Sequence, residues 1–410
     1  MKKPQRIVGL ELGARQFTAA VGEVQDNQQV VIRVIESAPS QGFEREGLTD
    51  PIECSDAVAR LMRQVERSLS DKVTLASAAF PGNQLKSFNA SAAVPITDPG
   101  TGISKQDVDR VISTCRTLSL DYDRQILHSF ERGFTVDGQS GVRNPVGLSG
   151  KKLSVELHLV TAQTTTAQNL TKMLNRAGLE LDTFVLPGLG MAEAVLTDLD
   201  RDLGVTLIRI GEFQTEVVLF DDGGVRETFL LSGGTEDLVE SLSRTFKLPR
   251  VSAEHLLEQV RTLEAPSADV DWASVPLRAG VGASVRTFPQ GQVVQLVKGR
   301  AKDLLSRVQR RLGASSIFLD SASGIVVVGS LARLEGFMEM AEEMFNTPVR
   351  LGIVKDVELP PGFVPRIQDT TAVGLVRYAF RLRADSGVSR PLPPWLKPLE
   401  KFQRILQEYF

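Results

Sequence analysis

The chain has 410 residues, of which 42% are hydrophobic, 24% charged and 6% aromatic, and its formal charge at neutral pH is -3. At about 150 residues per domain, this length predicts two or three compact units. The near-average composition excludes wholesale disorder and a collagen-like repeat, and the charge balance is not that of a strongly basic nucleic-acid binder.

The cysteines, the histidines and the amino-terminal segment further restrict the kind of site and the cellular location that the sequence predicts. Cys54 and Cys115 form no CxxC motif, which fits a reducing compartment and argues against a disulfide framework or a zinc site. The three scattered histidines are typical of surface or structural positions rather than of a metal centre or a Ser/His triad. Glu11 interrupts the first apolar stretch, and no run of about 18 apolar residues follows, so we expect a cytoplasmic chain without a membrane span.

Hydrophobic periodicity predicts alternating strands and helices, and hence a mixed α/β fold. The predicted strands are a hairpin over 7–24, then 30–35, 125–131 and 153–161, a second hairpin over 205–220, then 225–231 and 324–328. The predicted helices are 56–69, 105–118, 165–177, 236–246, 253–263, 293–312, one ending near 345, and 371–383. A loop rich in alanine, serine, aspartate and proline is expected among the helices of 236–300.

The two predicted hairpins are similar to each other. Placing Gly13 on Gly211 also aligns Leu12 with Ile210 and Gln16 with Gln214. A strand-to-helix turn at Gly329 and Ser330 follows. Two such hairpins followed by such a turn match an actin-like pair of lobes around a nucleotide cleft, because tight turns aim backbone N–H groups at phosphate and glycine permits close approach.

Further motifs occur in one order along nearly the whole chain. They are IVGLELGARQFTAAVGEV (7–24), NPVGLSG (144–150), HLVTA (158–162), LNRAGLELD (174–182), a PGL loop (187–189), FNTPVRLG (345–352) and TTAVGL (370–375). On these motifs the chain resembles the bacterial cell-division protein FtsA family. The resemblance implies an actin-like two-lobed α/β fold with an inserted α+β subdomain in place of actin's second subdomain, followed by a C-terminal amphipathic helix.

The resemblance also implies the domain organisation and the partners. We expect a first-lobe large subdomain (1–83, 165–195, closed by 366–383), an inserted subdomain (84–164), a second-lobe large subdomain (196–235, 301–365), a partner-binding small subdomain (236–300), a linker (384–394) and a membrane helix (395–410). The implied protein is cytoplasmic and peripheral on the inner face of the cell membrane. It would form actin-like filaments, tether FtsZ to that membrane and recruit later division proteins.

The expected nucleotide cleft departs from the family's pattern. The candidate cofactor-binding residues are Gly13, Ala14, Arg15, Arg209, Gly211, Gln214, Thr215, Gln295, Lys298, Gly329 and Ser330. Arg209 stands where the second hairpin normally has an acidic residue, and Glu212 and Phe213 stand where it has glycines. Gln295 and Lys298 stand where an acidic and a basic residue are usual.

These departures predict that binding of ATP with Mg²⁺, the cofactor that the family implies, is weak or lost and that hydrolysis is slow or absent. Two alternatives stay open for the arginines. Arg15 and Arg209 either supply positive charge to phosphate in a rearranged pocket, or form ion pairs with Glu11 and Glu212 across an empty cleft.

The last sixteen residues, WLKPLEKFQRILQEYF, have the pattern of an amphipathic helix on a linker rich in proline. From residue 381 onward the chain has six basic and three acidic side chains, which suits an anionic bilayer surface. The predicted membrane-binding residues are Trp395, Leu396, Leu399, Lys401, Phe402, Arg404, Ile405, Leu406, Tyr409 and Phe410. The alternative is a helix docked on the protein's own body or in a partner's groove.

Two other functions compete with the division adaptor. An actin-fold ATP-dependent small-molecule kinase would need an intact phosphate hairpin and a catalytic carboxylate, and the cleft offers no convincing candidate for the latter. A pilus-assembly actin-like adaptor would share the inserted subdomain, but a terminal membrane helix is not expected there. Neither competitor accounts for the tail.

Overall fold

The computed structural model describes residues 6–25, 29–45, 47–98, 100, 102–264, 271–277, 284–315, 318 and 322–385. The strands in chain order are β1 (Arg6–Leu12), β2 (Gln16–Val24), β3 (Val30–Pro39), β4 (Phe43–Glu44), β5 (Gly47–Leu48), β6 (Leu75–Ala79), β7 (Leu85–Pro95), β8 (Arg124–Val136), β9 (Gln139–Val142), β10 (Lys152–Gln163), β11 (Glu180–Val185), β12 (Val205–Ile210), β13 (Gln214–Asp221), β14 (Gly224–Ser232), β15 (Asp271–Leu277), β16 (Ser284–Pro289), β17 (Ile325–Val328) and β18 (Val349–Leu351). The helices are α1 (Pro51–Leu69), α2 (Lys105–Leu118), α3 (Thr164–Arg176), α4 (Pro187–Val195), α5 (Asp198–Asp202), α6 (Thr235–Phe246), α7 (Arg250–Gln259), α8 (Gln290–Leu312), α9 (Phe337–Phe345) and α10 (Ile367–Asp385).

Two five-stranded sheets have the same topology, and this repetition confirms the internal duplication. The first sheet has the order β3-β2-β1-β6-β11 and the second the order β14-β13-β12-β17-β18. In both sheets the first three strands in chain order pair antiparallel and the last two join in parallel. We call the first sheet with α1, α3, α4 and α10 the first lobe, and the second sheet with α6 to α9 the second lobe.

The two hairpin turns are equivalent down to the hydrogen bond that closes them. The Gly13 N–H donates to the Gln16 carbonyl at 3.0 Å, and the Gly211 N–H donates to the Gln214 carbonyl at 2.9 Å. A Cβ on either glycine would lie within 2.8 Å of that same carbonyl oxygen. Glycine is therefore required at both turns for steric reasons, and the alignment of Gly13 with Gly211 is confirmed.

A separate sheet of order β7-β10-β8-β9 forms the inserted α+β unit. Helix α2 packs on this sheet, and their apolar side chains form a core cluster distinct from those of the two lobes. Ser104 and Asp107 cap the start of α2 reciprocally, which fixes its first turn at the predicted residue. The mixed α/β fold with an inserted unit agrees with the sequence prediction.

Helices α4 and α10 pack against each other in the first lobe, where small residues allow their backbones to touch. A Cβ on Gly374 would lie 1.7 Å from the Gly190 carbonyl oxygen, and a Cβ on Gly9 would lie 2.1 Å from that of Ala372. Every residue of α4 is buried. The TTAVGL motif (370–375) is thus a packing motif at this contact.

Several predicted elements need correction. The expected loop within 236–300 contains the hairpin of β15 and β16. The sequence did not predict this hairpin because alanine, serine and proline lower the β-propensity of the segment. The PGL segment (187–189) is the first turn of α4 and not a loop, since proline is well tolerated at the first helical position. Helix α7 begins at Arg250 and ends at Gln259, earlier than the predicted 253–263.

The predicted linker and tail lie largely beyond the part of the chain that the structure describes. Helix α10 extends to Asp385, so the first two residues of the expected linker 384–394 are helical. Residues 386–394 and the predicted membrane helix 395–410 lie outside the described residues. None of the helices in the described ranges combines the length and apolar composition needed to cross a bilayer.

Candidate nucleotide cleft

The cleft is formed where the two hairpin turns face each other, and Arg209 lies at its centre. One guanidinium nitrogen of Arg209 donates to Glu11 of the first lobe at 2.8 Å, and the other donates to Glu216 at 2.9 Å. The second carboxylate oxygen of Glu216 accepts from the Gly188 N–H of α4 at 2.7 Å. This network therefore connects the first lobe to the second twice.

Burial dominates the electrostatics of this group. Burial raises the pKa of Glu216 and of Glu11, and the attraction of Arg209 opposes that shift only in part. Burial alone would lower the pKa of Arg209, but Glu216 and Glu11 together raise it, so the guanidinium remains charged. The Nε atom of Arg209 is buried without a hydrogen-bond partner among the described residues.

A second, more exposed group of charges lies at the mouth of the cleft around Arg15. Its guanidinium contacts three carboxylates of the second lobe: Glu212, Glu236 at 3.2 Å and Glu254 at 3.1 Å. Arg250 pairs with the same acids, at 2.7 Å from Glu236 and 2.8 Å from Glu254. The two groups together bring five carboxyl groups and three guanidinium groups into the cleft, so acidic side chains outnumber basic ones.

The start of α6 covers the second hairpin turn. The N–H groups of Thr235 and Glu236 donate to the carbonyls of Gly211 and Glu212, at 3.1 and 2.9 Å. Gly234 permits this approach, since a Cβ there would lie 2.2 Å from the Gly211 carbonyl oxygen. Thr215 also connects β13 to the segment before α6, because its hydroxyl donates to the Gly233 carbonyl at 2.9 Å.

The remaining predicted site residues lie in three places. Ala14 lines a cavity of about 280 Å³ together with Arg15, Glu212 and Phe213. The Gln214 side-chain amide donates to the Gly82 carbonyl at 3.3 Å, which adds a contact between lobes. Gly329 has a φ of +150° and lies against β12, where a Cβ would be 2.5 Å from the Ile210 carbonyl oxygen.

Ser330, which follows Gly329, immediately precedes a short 3₁₀ helix, Leu331–Arg333. Gln295 and Lys298 are exposed on α8. Gln295 lines a different cavity, of about 430 Å³, with side chains of α6 and α8 such as Phe246. That cavity shares no lining residue with the one beside Arg15. The structure thus brings together the residues of the two hairpin turns but does not bring Gln295 beside them.

Known proteins share both the sequence and the fold. Residues 82–161 match the family model described as the SHS2 domain inserted in FTSA. The cell division protein FtsA of Pseudomonas aeruginosa is 29% identical over 415 aligned residues, covering 98% of each chain. The chain is an FtsA-like cell-division protein of the actin family.

Solved structures with low sequence identity share the fold. A structure of the PilM–PilN type IV pilus biogenesis complex superposes with a TM-score of 0.61 at 14% identity, covering 92% of this chain and 98% of that one. MreB5 of Spiroplasma citri bound to ADP superposes with a TM-score of 0.53 at 10% identity, covering 93% and 97%. The actin-like fold is thereby established for this FtsA-like chain.

The residues of this FtsA-like cleft do not fit ATP with Mg²⁺. The Glu11 carboxylate is bound to a guanidinium, and the Glu212 carboxylate occupies a turn where phosphate would need bare backbone amides. A triphosphate would add negative charge to a cleft in which carboxylates already outnumber guanidinium groups. No set of three or more histidine, cysteine, aspartate or glutamate side chains within the described ranges is arranged to hold a metal ion.

Sequence reasoning missed three acidic partners of the two arginines, Glu216, Glu236 and Glu254. It also missed Arg250 and the Gly188 N–H, which bind the same acids. Glu216 carried a signal, since it is a charged residue amid the apolar run of β13 and is 1% exposed. Such a residue needs a buried partner. Glu236 and Glu254 are on ordinary amphipathic helices, so their role becomes visible only from the tertiary structure.

Proposed function

We propose that this protein is a peripheral adaptor of cell division, which polymerises on the cytoplasmic face of the cell membrane, tethers FtsZ filaments there and recruits later division proteins. The observation that carries the proposal is the similarity to FtsA over 98% of both chains, on a matching actin-like fold. Nucleotide binding is weak or lost in this proposal, because ion pairs fill the cleft.

Membrane attachment is assigned to residues 395–410. On a helical wheel the large apolar side chains of this segment share one half, and lysine and arginine occupy the other. Burying each large apolar side chain contributes at most about 1.5 to 3 kcal/mol, so a single short helix attaches reversibly. A filament linking many such helices would bind far more firmly through avidity, which gives a physical reason to combine assembly and membrane binding in one molecule.

The domain boundaries predicted from the sequence belong to this proposal. The three separate sheets support a division into two lobes and an inserted subdomain. The segment 236–300, which includes α6 and α7, is proposed as the small subdomain that carries the FtsZ-binding surface. Pelleting of purified FtsZ filaments together with the full-length protein tests this partner directly.

The tail is tested by co-sedimentation with anionic liposomes. We expect the full chain to pellet with vesicles and a truncation ending at residue 394 to remain in solution with an unchanged circular dichroism spectrum. Phe402→Asp on the apolar face should also abolish binding. Gln407→Asp, which makes the same charge change at the edge of the polar half, should retain most of it. Pelleting of the truncated protein with vesicles would refute the assignment.

A further inference from the structure

The pseudo-symmetry of the two lobes places Glu11 and Arg209 at equivalent positions. Each residue immediately precedes the pair that closes its hairpin, Leu12 with Phe17 in the first lobe and Ile210 with Thr215 in the second. Their side chains meet at 2.8 Å between the lobes. Two carboxylates at these equivalent positions would require a cation between them, whereas here one position supplies that cation itself.

We propose that Arg209 and Arg15 form a guanidinium clamp that holds the two lobes together in place of a metal ion and a nucleotide. This goes beyond the proposed function, since it concerns how the cleft is closed and would hold whatever the protein binds on its surface. The clamp has a buried centre at Arg209 and an exposed rim at Arg15.

The buried centre links the lobes through alternating contacts. Glu11 of β1 binds Arg209 of β12, Arg209 binds Glu216 of β13, and Glu216 accepts from Gly188 of α4, at 2.8, 2.9 and 2.7 Å respectively. Arg209 is suited to this position because one planar guanidinium bridges two carboxylates with separate nitrogens. A metal ion would have to displace this guanidinium before it could use Glu11 as a ligand.

The rim adds further contacts between the two lobes. Arg15 extends from the first hairpin turn to three carboxylates that all belong to the second lobe. The Arg45 guanidinium lies 5.4 Å from the centre of the Phe213 ring, which adds a cation–π contact between the lobes. Arg15 is 45% exposed, so the rim is more sensitive to salt than the centre.

The space at the mouth is correspondingly small. The cavity beside Arg15 has a volume of about 280 Å³ and is lined by three acidic and three basic side chains and by Phe213. Sites for drug-sized ligands typically have volumes of about 300 to 1,000 Å³. With equal numbers of acidic and basic side chains, this cavity offers a triphosphate no excess of positive charge.

A double-mutant cycle on the full-length protein tests the clamp. Glu11→Gln and Arg209→Met should each lower the melting temperature by on the order of 5 °C, because removing one partner leaves the other charge buried. The double variant should lose less than the sum of the two. Arg244→Met is the control, since Arg244 is 79% exposed and pairs with Glu240 on the same helix, and its shift should stay within about 1 °C. Additive losses from the two single substitutions would overturn the clamp.

A second experiment adds Mg²⁺-ATP to the wild-type protein, so its result does not depend on whether a variant folds. The melting temperature and the small-angle scattering profile should stay the same when Mg²⁺-ATP is added at about 1 mM, because a ligand that does not bind the folded state cannot stabilise it. A rise in melting temperature, or a contraction in solution on adding Mg²⁺-ATP, would show that nucleotide closes the cleft and would overturn the proposal. Inorganic phosphate serves as a control for a simple anion effect at the buried Nε of Arg209.

Discussion

His158 is a single residue whose protonation state the surrounding structure determines. Its Nε2 accepts the Thr228 N–H at 3.0 Å, so Nδ1 carries the proton that it shares with Asn89 Oδ1 at 2.7 Å. Strand β10 thereby joins β14, so this residue connects the inserted unit to the second lobe. A second proton on the ring would break the hydrogen bond from the Thr228 N–H.

We therefore predict a loss of stability in acid that depends on His158. Burial lowers the pKa of His158 from its usual 6.5 to about 4, with Glu227 opposing and Arg132 reinforcing that shift. Between about pH 6.5 and pH 4, His158 is protonated in the unfolded chain but neutral in the folded chain. The free energy of unfolding therefore falls as the pH drops through this range, by on the order of 3 kcal/mol.

Urea unfolding at a series of pH values measures this loss. His158→Asn should be less stable at pH 7.5 but should show a shallower decline, while His128 titrates in both proteins and cancels in the comparison. Parallel pH profiles of the two proteins would contradict the assignment.

At the scale of elements, the contact between α4 and α10 depends on glycine for close approach. Gly374→Ala should destabilise the protein by about 1 to 3 kcal/mol, because its Cβ would collide with the Gly190 carbonyl oxygen, a backbone atom with little freedom to move. Gly299→Ala on α8 is the matched control, since a Cβ there meets nothing within 4 Å. The control should stabilise the protein by up to about 1 kcal/mol through helix propensity. Chemical denaturation compares the two, and equal effects would show that the close approach is not limiting.

The sequence predicted those elements whose signals are local. The hairpin turns at Gly13 and Gly211 follow from glycine flanked by alternating apolar residues, and α2 begins at Lys105, where the apolar periodicity predicted it. Strands β15 and β16 were missed because their alanine, serine and proline content is typical of loops. Local patterns therefore determined the two lobes better than they determined this short hairpin.

In the cleft, the sequence identified residues of the two hairpin turns but not their partners on the helices. Arg15, Arg209 and Glu212 stood out because they replace residues of a recognisable motif, and the ion pairs of Arg209 with Glu11 and of Arg15 with Glu212 are present. Glu254 lies 239 positions from Arg15 along the chain, and nothing in its own helix marks it. Such pairings arise from tertiary folding, so no local pattern specifies them.

At the scale of the whole molecule, the clamp and the proposed tail together predict how assembly begins. If ion pairs close the cleft, each subunit is ready for assembly without nucleotide, and membrane binding is limited by the weakness of a single tail. Co-sedimentation with anionic vesicles should therefore rise steeply with protein concentration, because neighbouring subunits on a filament reinforce each other's attachment. The curve should be the same with and without Mg²⁺-ATP.

A hyperbolic curve, as independent monomers would give, would contradict assembly on the membrane, and a curve that becomes steep only with Mg²⁺-ATP would contradict the clamp. Because the two failures differ in form, one titration distinguishes an error about the tail and the filament from an error about the cleft.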